Sequence, residues 1–305
     1  MKVLIVVSVN RHSPAPFVLE QMKSLQQVGC ETVLFGVAGR GVTGYLANLI
    51  GLKRKIRQFH PDIVHAHYGM CGLLAGLQRR IPVIITFHGS DINCDSAFRW
   101  SKVAMHLSDF NIFVSPKMAA KAGVKNNYEI IPCGVNINEF SIISKLDARR
   151  RLNLNEDKKY VLFASSFENE IKNPSLAKEA MKHIPNAILL EFKGYSREEV
   201  YILLQAVDCL LMTSYSEGSP QVIKEALLCG TPIVSVPVGD VPLRIQGIEG
   251  CYLADYNEKS IADKLIEAIH YNQRTLGRDA IIRQGFANYQ IATRLYEIYK
   301  KVKKE

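Results

Sequence analysis

The chain has 305 residues, a net charge of +9 and 48% hydrophobic residues, an ordinary composition for a globular protein of one or two domains. The positive charge favours an anionic ligand or surface, but no run interleaves aromatic with basic residues as in single-strand binders, so we expect no nucleic-acid partner. Seven scattered cysteines without a Cys-x-x-Cys pair indicate a reducing compartment.

Short apolar runs alternate with segments of helical periodicity along the chain. The first half predicts strands at 3–7, 32–37, 62–67, 82–87 and 110–115, and helices at 16–28, 45–59 and 72–80. The second half predicts strands at 160–165, 187–192, 208–214 and 232–236, and helices at 174–183, 197–206 and 220–228. Unalternated Val/Ile runs between helices are typical of parallel sheets covered on both faces. We therefore predict an α/β protein with two Rossmann-like, parallel-sheet domains facing a cleft.

A polar segment at 144–159 separates the two series and sets the predicted domain boundary. The first domain then covers 1–143 and the second 144–287. The last helix, 288–305, carries one broad apolar stripe, and we expect it to pack back on the first domain. No apolar run approaches the roughly 20 residues of a spanning helix, so we expect a cytoplasmic protein with at most peripheral membrane contact.

The stretch "SEGSPQVIKEALLCGTPIVS", residues 216–235, places two glutamates around the start of a short helix. Ser219 suits the N-cap, Pro220 the first helical position and Gly230 the residue beyond the helix end. Helical spacing directs Lys224 away from the packed face and places Glu225 at its edge. That packed face comprises Val222, Ile223, Ala226 and Leu227.

This position is suited to a phosphorylated ligand. Ligands of open parallel sheets bind outside the carboxyl ends of the strands, and free amides at a helix start attract phosphate. A phosphate at Gly218–Ser219–Pro220 would leave Glu225 able to accept hydrogen bonds from ribose hydroxyls, with Glu217 near a sugar. The pattern favours a nucleotide sugar; the alternative is two exposed glutamates that simply favour a helix start.

The segment at 216–240 closely resembles the E-x7-E signature of retaining GT-B glycosyltransferases of family 4. Four further segments resemble other parts of that family: "RHSPAPFVLEQMKSLQQVG" (11–29), "DIVHAHYG" (62–69) with "TFHGSDIN" (86–93), "IIPCGVNINEF" (130–140) and "ASSFENEIKNPSLAKEA" (164–180). The resemblance implies catalytic roles for His88 and Glu217, with Ser13 and Asp91 on the acceptor side of the cleft. It further implies that the donor is held by Lys172, Gly218, Ser219, Pro220 and Glu225, without a metal or other cofactor.

The chain departs from the family in two places. The arginine usually found about five positions before the lysine is absent, since Phe167 stands near that position, and the loop between 192 and 208 is short. Two alternatives to a transferase therefore stay open: a partner-dependent or non-catalytic subunit, and a sugar-nucleotide epimerase of the same fold. A metal site formed by His65, His67, His88 and Asp91 is a less favoured hypothesis, and packed histidines are the simpler interpretation.

The resemblance also suggests a lipid-linked glycan as acceptor, as in the assembly of capsule, exopolysaccharide or O-antigen. "GLKRKIR" (51–57) and Arg79–Arg80 would give the first domain a basic face suited to an anionic bilayer. Solvated helix faces account for these residues equally well.

Overall fold

A computed structural model of the chain describes residues 1–9, 13–138 and 141–303. The chain forms two compact units, unit 1 comprising Met1–Asn136 with Phe286–Glu305 and unit 2 comprising Ile137–Gly285. The predicted boundaries lay later, at 143/144 and 287/288. The chain joins unit 2 earlier because the Ile143 amide donates to Gln205 Oε1 (2.8 Å) and Arg278 Nη2 donates to the Ile137 carbonyl (2.6 Å).

Unit 1 is built on a six-stranded, all-parallel sheet in the order β2-β1-β3-β4-β5-β6. The strands are β1 (Lys2–Ser8), β2 (Glu31–Val37), β3 (Ile63–His67), β4 (Val83–Phe87), β5 (Phe110–Phe113) and β6 (Tyr128–Ile130). The helices are α1 (Pro16–Gln27), α2 (Gly41–Leu46), α3 (Leu49–Phe59), α4 (Gly69–Gly76), α5 (Ser90–Asn93), α6 (Asp95–Leu107), α7 (Pro116–Ala122) and α15 (Asn288–Val302).

The core of unit 1 follows from strands that are buried on both faces. Residues 3–7 of the inner strand β1 are all buried, as are all residues of β3 and β4. The final helix, α15, packs against α1, and its Tyr299 hydroxyl lies 2.6 Å from His65 Nδ1. Lys304 and Glu305, at the end of the predicted last helix, lie outside the described residues.

Unit 2 is built on a five-stranded parallel sheet in the order β11-β10-β9-β7-β8. Its strands are β7 (Lys159–Phe163), β8 (Ala187–Glu191), β9 (Cys209–Met212), β10 (Ile233–Ser235) and β11 (Cys251–Leu253). Its helices are α8 (Lys145–Arg151), α9 (Pro174–Met181), α10 (Arg197–Ala206), α11 (Gln221–Leu228), α12 (Val241–Ile245), α13 (Glu258–Tyr271) and α14 (Gly277–Arg283), with a 3-10 turn at Glu170–Lys172.

The prediction of two parallel-sheet α/β domains is confirmed, with local differences. The helix predicted at 45–59 is two helices, α2 and α3, and α2 begins before the predicted start, at Gly41. Asn48 ends α2 because its side-chain amide donates to the carbonyls of Ala38 and Gly44 (2.8 and 2.9 Å). Two edge strands, β6 and β11, were not predicted, because each has only three residues and none of them is buried, which leaves no apolar run.

The strand orders fix where a ligand can enter each sheet. In unit 1 the order reverses between β1 and β3, and in unit 2 between β7 and β9. At such a reversal the connections leave in opposite directions and open a crevice at the carboxyl ends of the strands. Within the described ranges, no helix is both long and apolar enough to cross a membrane.

Candidate functional site

In unit 2, a lysine and a glutamate meet at the carboxyl ends of β7 and β9. Lys172 ends the 3-10 turn that follows β7, and Glu217 lies in the loop after β9. Lys172 Nζ lies 2.5 Å from Glu217 Oε1, and both side chains are partly buried. The Thr213 hydroxyl bonds to the carbonyl oxygens of Lys172 and Asn173 (both 2.9 Å), which ties the two loops together. An ion pair thus sits where this sheet admits a ligand.

The loop Gly218–Ser219–Pro220 is held from the opposite side by the segment after β10. The Asp240 amide donates to the Gly218 carbonyl (3.1 Å), and the Ser219 hydroxyl donates to Asp240 Oδ2 (2.8 Å). Ser219 is therefore not the N-cap that the sequence predicted, since Pro220 occupies that position and α11 begins at Gln221. Gly239 has a φ of 57°, and a Cβ there would lie 2.7 Å from the Gly218 carbonyl oxygen. The two loops can pack this closely only with glycine at 239.

Glu225 lies on α11 and is more buried than the edge position predicted for it. It is 4% exposed, and its Oε1 lies 2.5 Å from Arg197 Nη1. Arg197 begins α10, whose N-terminus is fixed by a capping box between Ser196 and Glu199. Its guanidinium lies over the Tyr201 ring (4.9 Å to the centroid). Sequence reasoning missed Arg197; the helix start at 197 was predicted, but nothing in the sequence placed it beside α11.

The prediction that Lys224 points away from the packed face is wrong. Lys224 is 0% exposed, because α11 is enclosed on both sides and residues 223–228 are all buried. Burial raises the pKa of the Asp240 carboxyl, and the charge of Lys224 and the Ser219 hydrogen bond oppose that rise. Lys224 thus offsets the cost of burying Asp240, which in turn holds the Gly218–Ser219 loop. Gly230, as predicted, follows the helix in a left-handed conformation (φ 68°).

In unit 1, Asp91 closes the turn after β4. Its Oδ1 accepts the amides of His88 and Gly89 (3.1 and 2.9 Å), and its Oδ2 accepts the amide of Gly69 at the start of α4 (3.3 Å). Burial raises the pKa of Asp91 to about 6, against the opposing effect of these amides. The carboxylate therefore joins the carboxyl ends of β3 and β4.

His88 follows β4 and is packed among aromatic rings. The rings of Phe17 and Tyr68 lie 4.8 and 4.6 Å from the His88 ring, centroid to centroid. His88 Nε2 lies 3.0 Å from His67 Nδ1, and His88 Nδ1 lies 3.5 Å from Cys133 Sγ. Tyr68 adopts a φ of 71°. This backbone conformation is strained for a bulky residue, and strained residues of this kind cluster at functional sites.

A cavity of about 660 Å³ opens beside this turn at the carboxyl ends of β1 and β3, where the strand order reverses. Its wall includes Ser8, Ser13, Tyr45, Tyr68 and Asp91. The structure thus places Ser13 and Asp91, both predicted for the acceptor side, in the wall of one cavity of unit 1. The volume is in the range of small-molecule sites.

The histidines do not form the metal site weighed from the sequence. His65 uses both ring nitrogens, with Nδ1 2.6 Å from the Tyr299 hydroxyl and Nε2 2.7 Å from the Thr86 hydroxyl. In the part of the chain that the structure describes, no group of three or more His, Cys, Asp or Glu side chains could hold a metal ion.

Two sequence families match the chain. Residues 6–139 match Glycosyltransferase Family 4, and residues 168–270 match Glycosyl transferases group 1. Together they cover most of both units and support a GT-B glycosyltransferase of the family 4 and group 1 type.

Individual relatives agree with this assignment. TuaC of Bacillus subtilis (strain 168), assigned as a teichuronic acid biosynthesis glycosyltransferase, is 27% identical over 226 residues. That match covers 64% of this chain and 58% of TuaC, so the chain spans less than two thirds of this relative's length.

Solved structures share the fold over nearly the whole chain. Sucrose-phosphate synthase from Thermosynechococcus elongatus superposes with a TM-score of 0.85 at 17% identity, covering 99% of this chain and 98% of that one. HepE from Anabaena, solved in complex with UDP-glucose, superposes with a TM-score of 0.75 at 16% identity, covering 99% and 100%. These likenesses establish the GT-B fold.

Proposed function

We propose that the chain transfers a sugar, with retention of configuration, from a nucleotide sugar to a hydroxyl of a lipid-linked glycan. The observation that carries this proposal is the Lys172–Glu217 pair beside the Gly218–Ser219–Pro220 loop at the sheet reversal of unit 2. A cation, a carboxylate and a glycine-containing loop meet there, which suits a ligand that joins a diphosphate to a sugar.

The donor roles follow from the charges. Lys172 neutralises the diphosphate, and the amides of the Gly218–Ser219–Pro220 loop bind phosphate and sugar. Glu217, released from Lys172 when phosphate arrives, accepts hydrogen bonds from the transferred sugar. Glu225 accepts the ribose hydroxyls. Stabilising the departing diphosphate is the main chemical demand of this reaction, and fixed positive charge at that point lowers the barrier.

The acceptor enters unit 1 in this proposal. The cavity lined by Ser13 and Asp91 has room for a sugar. His88, which packs against Tyr68 in the cavity wall, is proposed to contact the sugar as it is transferred. The match to TuaC, assigned to teichuronic acid biosynthesis, supports a role in polysaccharide assembly. Capsule, exopolysaccharide or O-antigen assembly is the pathway class that the proposal assigns to the acceptor.

The proposed membrane contact rests on a basic surface of unit 1. Six cations lie on α3 and in the turn after α4, and among the described residues none of them is in an ion pair: Lys53, Arg54, Lys55, Arg57, Arg79 and Arg80. Ile50 on α3 is 73% exposed. Such a surface suits the anionic inner face of the plasma membrane, where each basic residue contributes about 1 kcal/mol to binding. The proposal therefore places the protein in the cytoplasm. Flotation with vesicles containing or lacking anionic lipid tests it.

The proposed reaction needs no metal, because Lys172 and the loop amides carry out the charge neutralisation that Mg²⁺ performs in other transferases. Turnover in EDTA should equal turnover in Mg²⁺ or Mn²⁺. Activity that EDTA abolishes and a divalent ion restores would contradict this part of the proposal.

A thermal-shift screen against UDP, GDP, ADP and their sugars tests the function as a whole. One nucleotide series should raise the melting temperature, since ligands that bind only the folded state stabilise it. No shift with any nucleotide would favour a non-catalytic or partner-dependent subunit. Conversion of the donor sugar in the absence of acceptor would favour an epimerase.

A further inference from the structure

His67 is a buried histidine that uses only one of its two ring nitrogens in a hydrogen bond among the described residues. It is the last residue of β3 and is 0% exposed. Its Nδ1 lies 3.0 Å from His88 Nε2, while its Nε2 is buried without a hydrogen-bond partner among the described residues. The two rings are inclined by only 20°, with centroids 5.2 Å apart.

This asymmetry selects one arrangement of protons. If His88 donated from Nε2 to His67, then His67 would carry its own proton on Nε2, leaving a buried N–H without an acceptor. If His67 donates from Nδ1, only a bare lone pair is left at Nε2. Buried N–H groups without partners are rarer than under-used acceptors, and leaving a buried donor unsatisfied is costly. The second arrangement is therefore the stable one.

A neutral His67 is required for this bond to have a fixed direction. Burial lowers the pKa of His67 to about 3, so the ring carries a single proton at physiological pH. His88 Nε2 then accepts, and a neutral His88 must carry its proton on Nδ1, the nitrogen that lies 3.5 Å from Cys133 Sγ.

We propose that His67 is a positioning residue for His88: it donates from Nδ1 to His88 Nε2 and so fixes His88 as the tautomer that offers its N–H from Nδ1. The inference rests on the proposed role of His88 in sugar transfer. Phe17 and Tyr68 restrain the plane of the His88 ring, and the His67 bond decides which nitrogen of that ring is the donor.

Two substitutions separate this role from simple packing. Asn places an amide N–H near the position of histidine Nδ1, whereas Gln places its amide near that of Nε2. His67→Asn should keep the bond to His88, and His67→Gln should lose it. Thr86→Val is the matched control, because it removes a hydroxyl bonded to His65 in the same buried layer and leaves the His67–His88 pair intact.

The experiment combines ¹⁵N-histidine NMR of the full chain, which distinguishes the two neutral tautomers, with donor-dependent kinetics. We expect wild-type His88 to be protonated on Nδ1, with the same signals in His67→Asn and Thr86→Val. His67→Gln should show mixed tautomers and about a tenfold lower kcat with little change in donor KM, as expected for a lost hydrogen bond that acts in the transition state.

The wild-type spectrum alone can overturn the inference, even if the variants fold poorly: a His88 protonated on Nε2 contradicts it. A His67→Gln protein that keeps both the wild-type His88 signals and the wild-type turnover also contradicts it. If His67→Gln changes the tautomer without changing turnover, the positioning by His67 stands and the proposed role of His88 fails.

Discussion

The ion pair between Arg197 and Glu225 gives two variants with opposite expected effects on nucleotide binding. Glu225→Gln keeps the shape of the side chain and one acceptor oxygen but removes the charge that the proposal assigns to the ribose. Arg197→Gln removes the other partner and leaves the Glu225 carboxylate unoccupied. A purely structural pair would not distinguish between the two variants in this way.

The stability effects follow from how deeply each partner is buried. Removing one partner of a fully buried pair costs about 3–5 kcal/mol. The Arg197 side chain is 35% exposed and can rehydrate, so Glu225→Gln should lower the free energy of unfolding by only about 1–2 kcal/mol. Glu225 cannot rehydrate in the same way, and Arg197→Gln should cost about 3 kcal/mol.

Nucleotide affinity should separate the variants more clearly. Hydrogen bonds to a charged acceptor contribute about 1.5–3 kcal/mol, so Glu225→Gln should bind nucleoside diphosphate roughly ten- to a hundredfold more weakly. Arg197→Gln should bind as tightly as the wild type or more tightly, because the guanidinium no longer competes with the ribose for Glu225. Calorimetric titration measures the affinity, with the nucleotide identified by the thermal-shift screen. Thermal melts of the same variants measure the change in stability.

Two outcomes would refute this reasoning. If both variants bind nucleotide like the wild type, the pair is structural and Glu225 does not hold the ribose. If Arg197→Gln loses as much affinity as Glu225→Gln, then Arg197 itself contacts the nucleotide. The guanidinium would then not compete with the ribose for Glu225.

Three further predictions concern other parts of the two sites. Lys172→Ala should weaken nucleoside diphosphate binding at least tenfold in calorimetry, the loss of one charge-assisted contact; unchanged affinity would mean that another cation holds the diphosphate. Gly239→Ala should lower turnover about tenfold, because its Cβ would press on the Gly218 carbonyl. The control Gly247→Ala, also at positive φ but with open space around it, should lower only the stability, by about 1 kcal/mol in denaturant melts. Equal turnover in the two variants would mean that the packing of Gly239 on Gly218 does not matter for activity. Burial raises the pKa of Asp91 to about 6 in the folded state, against about 3.9 for an unperturbed aspartate, so its contribution to stability is fully present below about pH 3.9 and is lost as the pH rises through 6. Relative to Asp91→Asn, the wild type should gain about 2 kcal/mol in its free energy of unfolding between pH 7 and 4, and a difference that does not change with pH would refute the pKa shift.

The fold was predictable because its evidence is local. Strands buried on both faces give uninterrupted apolar runs, and helices between them carry their own start signals. The helix at 197–206 was predicted with the bounds of α10, where Ser196 and Glu199 form a capping box. Three-residue outer strands leave no such signal, and neither does a break set by one side chain, as at Asn48.

The site was only partly predictable because its contacts join distant parts of the chain. The position of Glu217 and Lys172 at the carboxyl ends of two strands could be inferred from the alternation of elements. The partners of Glu225 and His67 could not, since Arg197 and His88 lie 28 and 21 positions away. Helical spacing also failed for Lys224, because it assumes one solvent-facing side and α11 has none.

The most direct test of the central claim is transfer from a nucleotide sugar whose sugar carries a ¹³C label at its anomeric carbon, followed by NMR with a lipid-linked glycan acceptor. The account predicts that the donor signal is replaced by one from a new glycosidic bond of the same anomeric configuration, only when acceptor is present. An inverted configuration would contradict the retaining mechanism. A donor that binds but never passes its sugar to any acceptor, or is isomerised without one, would contradict the claim that the chain is a transferase.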